Sequence, residues 1–494
     1  MSSNKSASWL TKFVPALILL SAAVFLVTLR NRPVPTIDGA VYASVARNIV
    51  NSGSWYPLHY IDHIFAEHPP LYVWSIAASF KIFGVNDFAA NFPMHFFSFL
   101  VVIMTALIGR RAGLSRGVSL AAAITLCATR DFVLSSVRGY IEPIMEFWIY
   151  FGMYCVFTQF HKKNLIWSML AGISIFLAWL SKGPPVLWPT LFFGFLLLWK
   201  RTSLHIRIFR FTTYFTTLFV TFTTLYFCIT NFDVENTFQF YFHKQVLGSA
   251  MTGRGGAQTF EPFYFVNILK QYYWPWLPFL IIAFWIALLE FLFGNKSKKQ
   301  IPGLDLPAEE LFPKPFPSWV YAVFGMGFFV GFSIVKWKFW YYIAPAYPAF
   351  SLCIASTLYH RIAGVFERPL FFKVVCLASL CWGALLSIFP ISTWKDRVPE
   401  VTAFTQTIAN SPKEYAVYFL NPKRDHNLIA TSGEWYFNKP VQKISDLSGV
   451  SSIPKNSWLM ISEDLFEECK KTNERCRKAT LIQSHEHSEL VMIH

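Results

Sequence analysis

A chain of 494 residues that is 54% hydrophobic, 18% aromatic and only 14% charged does not have the composition of a string of soluble domains; it belongs to the membrane class. The formal charge of +15 does not mark a nucleic-acid binder either, because Lys and Arg stand in short clusters between apolar runs rather than on one polar face. Cys127, Cys155, Cys228, Cys353, Cys376 and Cys381 lie in or beside apolar segments, where a thiol is a small buried hydrophobe, and only Cys469 and Cys476 lie in polar sequence.

Residues 13–29 form the first apolar run, preceded by Lys5 and Lys12. A signal peptide would look similar, but no small-residue cleavage site follows and many further apolar runs do, so the reading is a retained first helix with a cytoplasmic N-terminus. The next interval, 36–74, is polar. Within it Asp38 precedes Val41, Val45 and Ile49, a four-residue recurrence that predicts an amphipathic helix over 39–51 at the outer membrane surface. Asp38 is then either the cap of that helix or a general base that takes a proton from an acceptor hydroxyl or amine. In Glu67-His68-Pro69-Pro70 two prolines set how the chain enters the following helix and remove two backbone donors. His59, Asp62 and His63 are metal-ligating types without regular ligand spacing; a divalent metal is conceivable there, but no metal site is assigned.

The later apolar runs fall at about 92–109, 114–129, 143–160, 164–181, 184–199, 211–230, 273–293, 318–335, 339–358 and 370–391, each approaching the roughly 20 residues that cross a bilayer and giving about eleven spans. Starting inside, that count puts Arg110-Arg111-Arg116, His161-Lys162-Lys163, Lys200-Arg201 with Arg207 and Arg210, Lys296-Lys298-Lys299, and Arg361-Arg368-Lys373 on the cytoplasmic side, as the positive-inside bias requires. The opening loop, 30–91, the intervals 130–142, 231–272 and 336–338, and everything after about Ile391 then face outward.

Three of these intervals carry chemistry. Arg138 precedes Glu142-Pro143, and Glu146 follows Glu142 by one helical turn; snorkelling accounts for Glu142, whereas an ionisable group within a span is a functional candidate. Lys182-Gly183-Pro184-Pro185 reads as an outer turn. Arg254 stands between glycines in a segment suited to a mobile loop. Lys336 and Lys338 alternate with aromatics and are followed by Tyr341 and Tyr342. The aromatics alone suit an interfacial belt, but paired lysines on the outer side ask for an anionic partner such as a phosphate.

From 393 to 494 the pattern changes to short alternating runs, such as 415–420 and 457–461, separated by helix-compatible segments. The expectation is a polytopic α-helical membrane domain over 1–392 followed by a small exterior α/β domain over 393–494. Were 465–476 one helix, Cys469 and Cys476 would share a face about 10 Å apart, too far for a disulfide; a bridge requires the segment to bend.

In order, Asp38-x3-Tyr42 with Ala46-Arg47, Glu67-His68-Pro69-Pro70-Leu71-Tyr72, an arginine and an acid before 143, Lys182-Gly183-Pro184, and Lys338-x3-Tyr342-x2-Pro345-x2-Pro348 resemble the type C glycosyltransferases over roughly residues 30–360. Within them the chain is similar to bacterial relatives of protein O-mannosyltransferases and of the lipid A aminoarabinose transferase. The resemblance implies a type C fold with juxtamembrane helices on the outer face. It also implies a polyprenyl-phosphate-linked sugar donor, an inverting transfer at the outer face of the bacterial cytoplasmic membrane, and no required cofactor. It casts Asp38 and Glu142 as the catalytic acids, Lys338, Tyr342, Arg254 and His68 as holders of the donor phosphate, and Tyr42, Glu67, Arg138, Tyr341 and Lys336 as substrate-binding residues. The implied partners are the donor, membrane lipids and an acceptor, with a monomeric protein and no nucleic acid. Aminoarabinose transferases have lysine where this chain has His68, and mannosyltransferases carry Asp-Glu where it has Asp38-Gly39, so lipid A, another glycan and protein all stay open as acceptor. A transporter or flippase of an anionic lipid is the competing function, but no repeated halves with matching broken helices occur. A scaffold would leave Asp38, Glu142 and Lys338 unexplained.

Overall fold

The computed structural model describes residues 13–22, 36–60, 63–136, 139–160, 164–199, 203–229, 241, 243, 247–248, 251, 261–293, 316–388, 399–420, 426–485 and 487–494. The chain divides into two compact units. One comprises residues 1–30, 66–72 and 92–390, the other 31–65, 73–91 and 391–494.

The first unit is helical, and every apolar run seen in the sequence carries a helix. The helices do not stop where the apolar windows stop. Asp87–Arg111 starts ahead of its run, with the Asn86 side chain accepting from the Ala89 N–H at 2.9 Å, and Leu204–Ile229 likewise begins among polar residues. Helix hydrogen bonding continues past the hydrophobic window wherever a cap is supplied. Among the described residues, Asp87–Arg111 alone is long and apolar enough to cross a membrane, and the pair Trp340–Thr357 and Tyr359–Phe366, bent by 43°, is a second if taken as one span. Others, among them Arg116–Cys127, Ile166–Lys182 and Trp319–Ile334, are apolar helices of 10–17 residues. Small residues let these helices approach closely. A Cβ at Gly117 would overlap the backbone oxygen of Phe366, and one at Gly327 would overlap the indole of Trp188, whose Nε1 donates to the Phe324 carbonyl at 2.9 Å.

In the second unit Thr36, not Asp38, caps the helix Ile37–Ser52: its hydroxyl accepts from the Gly39 N–H at 3.0 Å. Asp38 lies in the first turn, half-buried. The helix ends at Gly53, whose φ of 75° is left-handed and whose N–H returns to Ile49. It buries Val45 and Ile49 and packs against the helix His426–Phe437 of the same unit. A two-stranded hairpin follows, β1 (His59–Tyr60) with β2 (His63–Ile64).

The C-terminal part of this unit is a five-stranded mixed sheet of β3 (Val417–Leu420), β4 (Val441–Lys443), β5 (Ser457–Ser462), β6 (Thr480–His485) and β7 (Ser488–Ile493), in the order β4-β3-β5-β7-β6. β3 is parallel to β4 and β5, whereas β7 is antiparallel to β5 and β6. The period of two along β5 builds two cores: Trp458 and Met460 pack with Phe404, Ile408 and Phe437, and Leu459 and Ile461 pack with Val450, Phe466 and the cysteines. The helix Glu463–Thr472 breaks at Asn473, which is extended and caps a second helix, Glu474–Lys478. That bend brings the Cα atoms of Cys469 and Cys476 to 5.7 Å, and the two form a disulfide.

Candidate functional site

Glu142 opens the helix Glu142–Gln159, with Pro143 in the first turn, where its missing N–H leaves no helix bond unmade. Its carboxyl is 1% exposed and is ion-paired with Lys182, the last residue of Ile166–Lys182. One turn further on, Glu146 is fully buried and neither of its carboxyl oxygens has a hydrogen-bond partner, so a single ammonium stands beside two buried carboxyls. The Lys182 ammonium also lies 4.5 Å from the ring centroid of Tyr342 and 5.4 Å from that of Tyr341. Tyr341 is itself stacked between Tyr140, at 4.1 Å, and Phe339, at 5.3 Å.

Lys182 is held in place by the turn after it. Gly183 has φ 81° and ψ −123°, a conformation that a side chain would strain, and the hydroxyl of Tyr241 donates to the Lys182 carbonyl at 3.2 Å. A Cβ on Gly183 would overlap that hydroxyl.

Beside Lys182 is a cavity of 540 Å³, a size suited to a ligand. Its polar lining is Glu67, His68, Lys182, Tyr241 and Tyr342. One wall runs from Lys182 through Leu187 to Leu191, and the facing wall runs from Val335 back through Gly331 to Gly327. It is therefore polar where these helices meet their loops and apolar for about two turns, roughly 11 Å, along them. A Cβ at Gly331 would meet nothing within 4 Å, so that glycine leaves open space in the wall.

Of the residues singled out in the sequence, the cavity gathers Glu67, which is exposed, His68 and Tyr342, and Lys182 links it to Glu142 and Tyr341. Lys336 is exposed and Lys338 is buried, and neither lines this cavity. Burial lowers the pKa of Lys338 from its ordinary value, and Glu261 opposes that shift. Asp38 and Tyr42 belong to the other unit, where Tyr42 is buried edge-on against Phe65 at 6.3 Å. Arg138 and Arg254 lie outside the described residues, as does Asp62. Among the described residues no three His, Cys, Asp or Glu side chains converge in a way that could hold a metal ion.

The sequence reading places Lys182 in an outer turn and in the family pattern but gives it no site role. The signal was present: it is a lysine on the outer side next to a Gly-Pro-Pro turn, as unwelcome by the charge rule as Lys336 and Lys338.

Residues 67–227 match the family model described as dolichyl-phosphate-mannose-protein mannosyltransferase. A protein of Aquifex aeolicus described as uncharacterised is 27% identical over 328 residues, covering 64% of this chain and 58% of its own length. The undecaprenyl phosphate-alpha-4-amino-4-deoxy-L-arabinose arabinosyl transferase 2 of Proteus mirabilis is 28% identical over 174 residues, covering 34% of this chain and 31% of that one. The chain thus spans less than two thirds of the length of either relative. The ArnT of Cupriavidus metallidurans, solved bound to undecaprenyl phosphate, has the same fold: the TM-score is 0.67 at 14% identity, over 96% of this chain and 97% of that one. In sequence and fold the chain is similar to type C membrane glycosyltransferases of the ArnT kind.

Proposed function

We propose that this chain is a membrane glycosyltransferase that holds a polyprenyl-phosphate-linked sugar in the 540 Å³ cavity and passes the sugar, with inversion, to an acceptor at the outer face of the membrane. The observation that carries this reading is the pairing of an apolar wall two turns long with a lysine ammonium at its polar end. An isoprenoid chain matches the wall, and its phosphate matches the cation.

In the reaction, the acceptor hydroxyl or amine attacks the anomeric carbon, the bond from that carbon to the phosphate oxygen breaks, and polyprenyl phosphate leaves with the electron pair. Lys182 stabilises the charge that grows on the departing phosphate, and Glu142 positions Lys182. Asp38 takes the acceptor's proton, the base role that the sequence resemblance implies. The disulfide in the C-terminal domain supports an oxidising, non-cytoplasmic location for that domain, and with it a cytoplasmic N-terminus. Lipid A, another glycan and protein are the acceptor classes.

The test is binding of undecaprenyl phosphate to the purified full-length protein in nanodiscs, together with transfer of labelled sugar from a lipid-linked donor to membrane extracts. Saturable binding that Lys182→Ala abolishes, accompanied by transfer, is expected. Binding that ignores Lys182, or movement of the lipid across the bilayer without sugar transfer, would sink the proposal.

A further inference from the structure

The far end of the helix that begins at Glu142 holds a group that sugar transfer does not use. Arg210, near the start of Leu204–Ile229, is 2% exposed, and its Nε and Nη1 have no hydrogen-bond partner. Its guanidinium stands 5.7 Å from the ring centroid of Phe160, the residue that ends Glu142–Gln159. That end lies roughly 26 Å along the helix from the Glu142–Lys182 pair. A guanidinium has five donors and cannot give up its charge, so burying two of its three nitrogens without hydrogen bonds is costly unless an anion meets them.

Among the described residues its surroundings are poor in anions: Glu290 and Glu367, the carboxylates described at this end, are already engaged with backbone N–H groups, Glu290 accepting from Ser318 at 2.9 Å and Glu367 from Gly117 at 2.6 Å. Arg111 lies over the ring of Tyr154 at 5.4 Å, and Arg207 donates to the Leu198 carbonyl at 3.1 Å. Two further buried groups, Thr158 Oγ1 and Ser168 Oγ, have no hydrogen-bond partner. The Tyr214 carbonyl abuts Gly172, and Phe176 meets Phe222 at 5.0 Å further along the same two helices. The helices therefore run in the same direction, with Ser168 and Arg210 level one turn before the first contact.

We propose that Arg210 receives the phosphate of an anionic membrane phospholipid. Its acyl chains lie along the apolar surface beside Arg210, where Ile208, Phe209, Leu165, Ile166 and Met169 are all exposed. That neighbouring apolar band favours a lipid over a free phosphate ion, which would have no use for it. The site is distinct from the donor cavity and lies on the end of the bundle that also carries Arg111 and Arg207.

The test is native mass spectrometry of the full-length protein with phosphatidylglycerol and phosphatidylcholine at equal concentration, with thermal unfolding in inorganic phosphate alongside. The wild type should retain phosphatidylglycerol about tenfold over phosphatidylcholine, and Arg210→Gln should erase that preference. Arg210→Lys keeps the charge but loses the planar fork, and should weaken retention several-fold; it decides the matter if the glutamine variant does not fold. Equal retention of both lipids by the wild type, undiminished retention of phosphatidylglycerol by the variants, or stabilisation by inorganic phosphate equal to that by the lipid would each overturn the proposal.

Discussion

Arg47 Nη1 donates to the backbone oxygen of Trp435 at 2.6 Å while its guanidinium stands 5.1 Å from the centroid of that same indole, across a sequence separation of 388 residues. Arg47 Nη2 reaches the Glu434 carbonyl at 3.0 Å. The indole also stacks on Phe80 at 5.7 Å and donates to Asp87 at 2.9 Å. Three elements of the opening segment, Ile37–Ser52, Leu71–Phe83 and the first turn of Asp87–Arg111, thus meet on one side chain of the C-terminal domain.

Trp435→Ala should therefore cost about 3 kcal/mol, the usual size for deleting a buried aromatic, and Arg47→Ala about 2 kcal/mol for its charged hydrogen bonds. Thermal unfolding measures both, and hydrogen exchange should show Ile37–Ser52 opening first. An unchanged exchange pattern in Trp435→Ala would mean that the indole does not hold the segment.

Glu434, beside this junction, has its carboxyl pushed up to about 7 by burial, from an ordinary value of 4.5. Between those values the folded protein keeps a proton that the unfolded chain has released, so stability falls as pH rises through the window, and the loss is complete above pH 7. The side chain is partly solvated, which trims the effect to about 1 kcal/mol. Melting at pH 5 and pH 8 should differ less in Glu434→Gln than in the wild type. Identical pH slopes would contradict the assignment.

Gly331→Leu and Gly327→Leu separate cavity from packing. The first enters open space and should preserve or slightly raise stability, since glycine costs about 1 kcal/mol in a helix, while abolishing binding of the lipid-linked donor. The second collides with Trp188 and should destabilise the bundle by about 1–3 kcal/mol. Full donor binding by Gly331→Leu would show that the lipid does not use this wall.

Lys182→Met should lower transfer by about 10²–10³-fold, as loss of one preorganised group facing a developing charge does. Lys182→Arg should retain part of the activity. Glu142→Gln should act in the same direction through Lys182, chiefly on donor affinity. Steady-state kinetics with varied donor would expose a different role if Glu142→Gln changed only the turnover rate.

Replacing both Cys469 and Cys476 by serine should cost about 2.5 kcal/mol, the loop-closure contribution for so short a span. Alkylation mass spectrometry of the non-reduced protein should find both thiols blocked in protein from cells; free thiols there would argue for a reducing compartment around this domain.

Hydropathy and charge clustering determined from the sequence alone where the helices lie, because apolar length and the placement of Lys and Arg are local properties that need no partner. The strands 417–420 and 457–462 were legible for the same reason, as alternation is also local. The helix over 39–51 was legible too, but its cap was not: Thr36 takes the role that Asp38 would fill as well by residue type, and only backbone geometry separates them. The site was legible in part. Glu67 and His68 could be picked as polar residues in a polar interval and Tyr342 from its place after the paired lysines, whereas Lys182 was legible as an outer-side lysine but not as the cation that faces them, because it comes from the end of a helix whose neighbours a linear pattern does not encode. The bend at Asn473, the ion pair Glu142–Lys182 and the seating of Trp435 on Arg47 were decided by tertiary structure. Each depends on distances between segments far apart in sequence or on one residue's φ and ψ, and neither quantity is carried by composition or period.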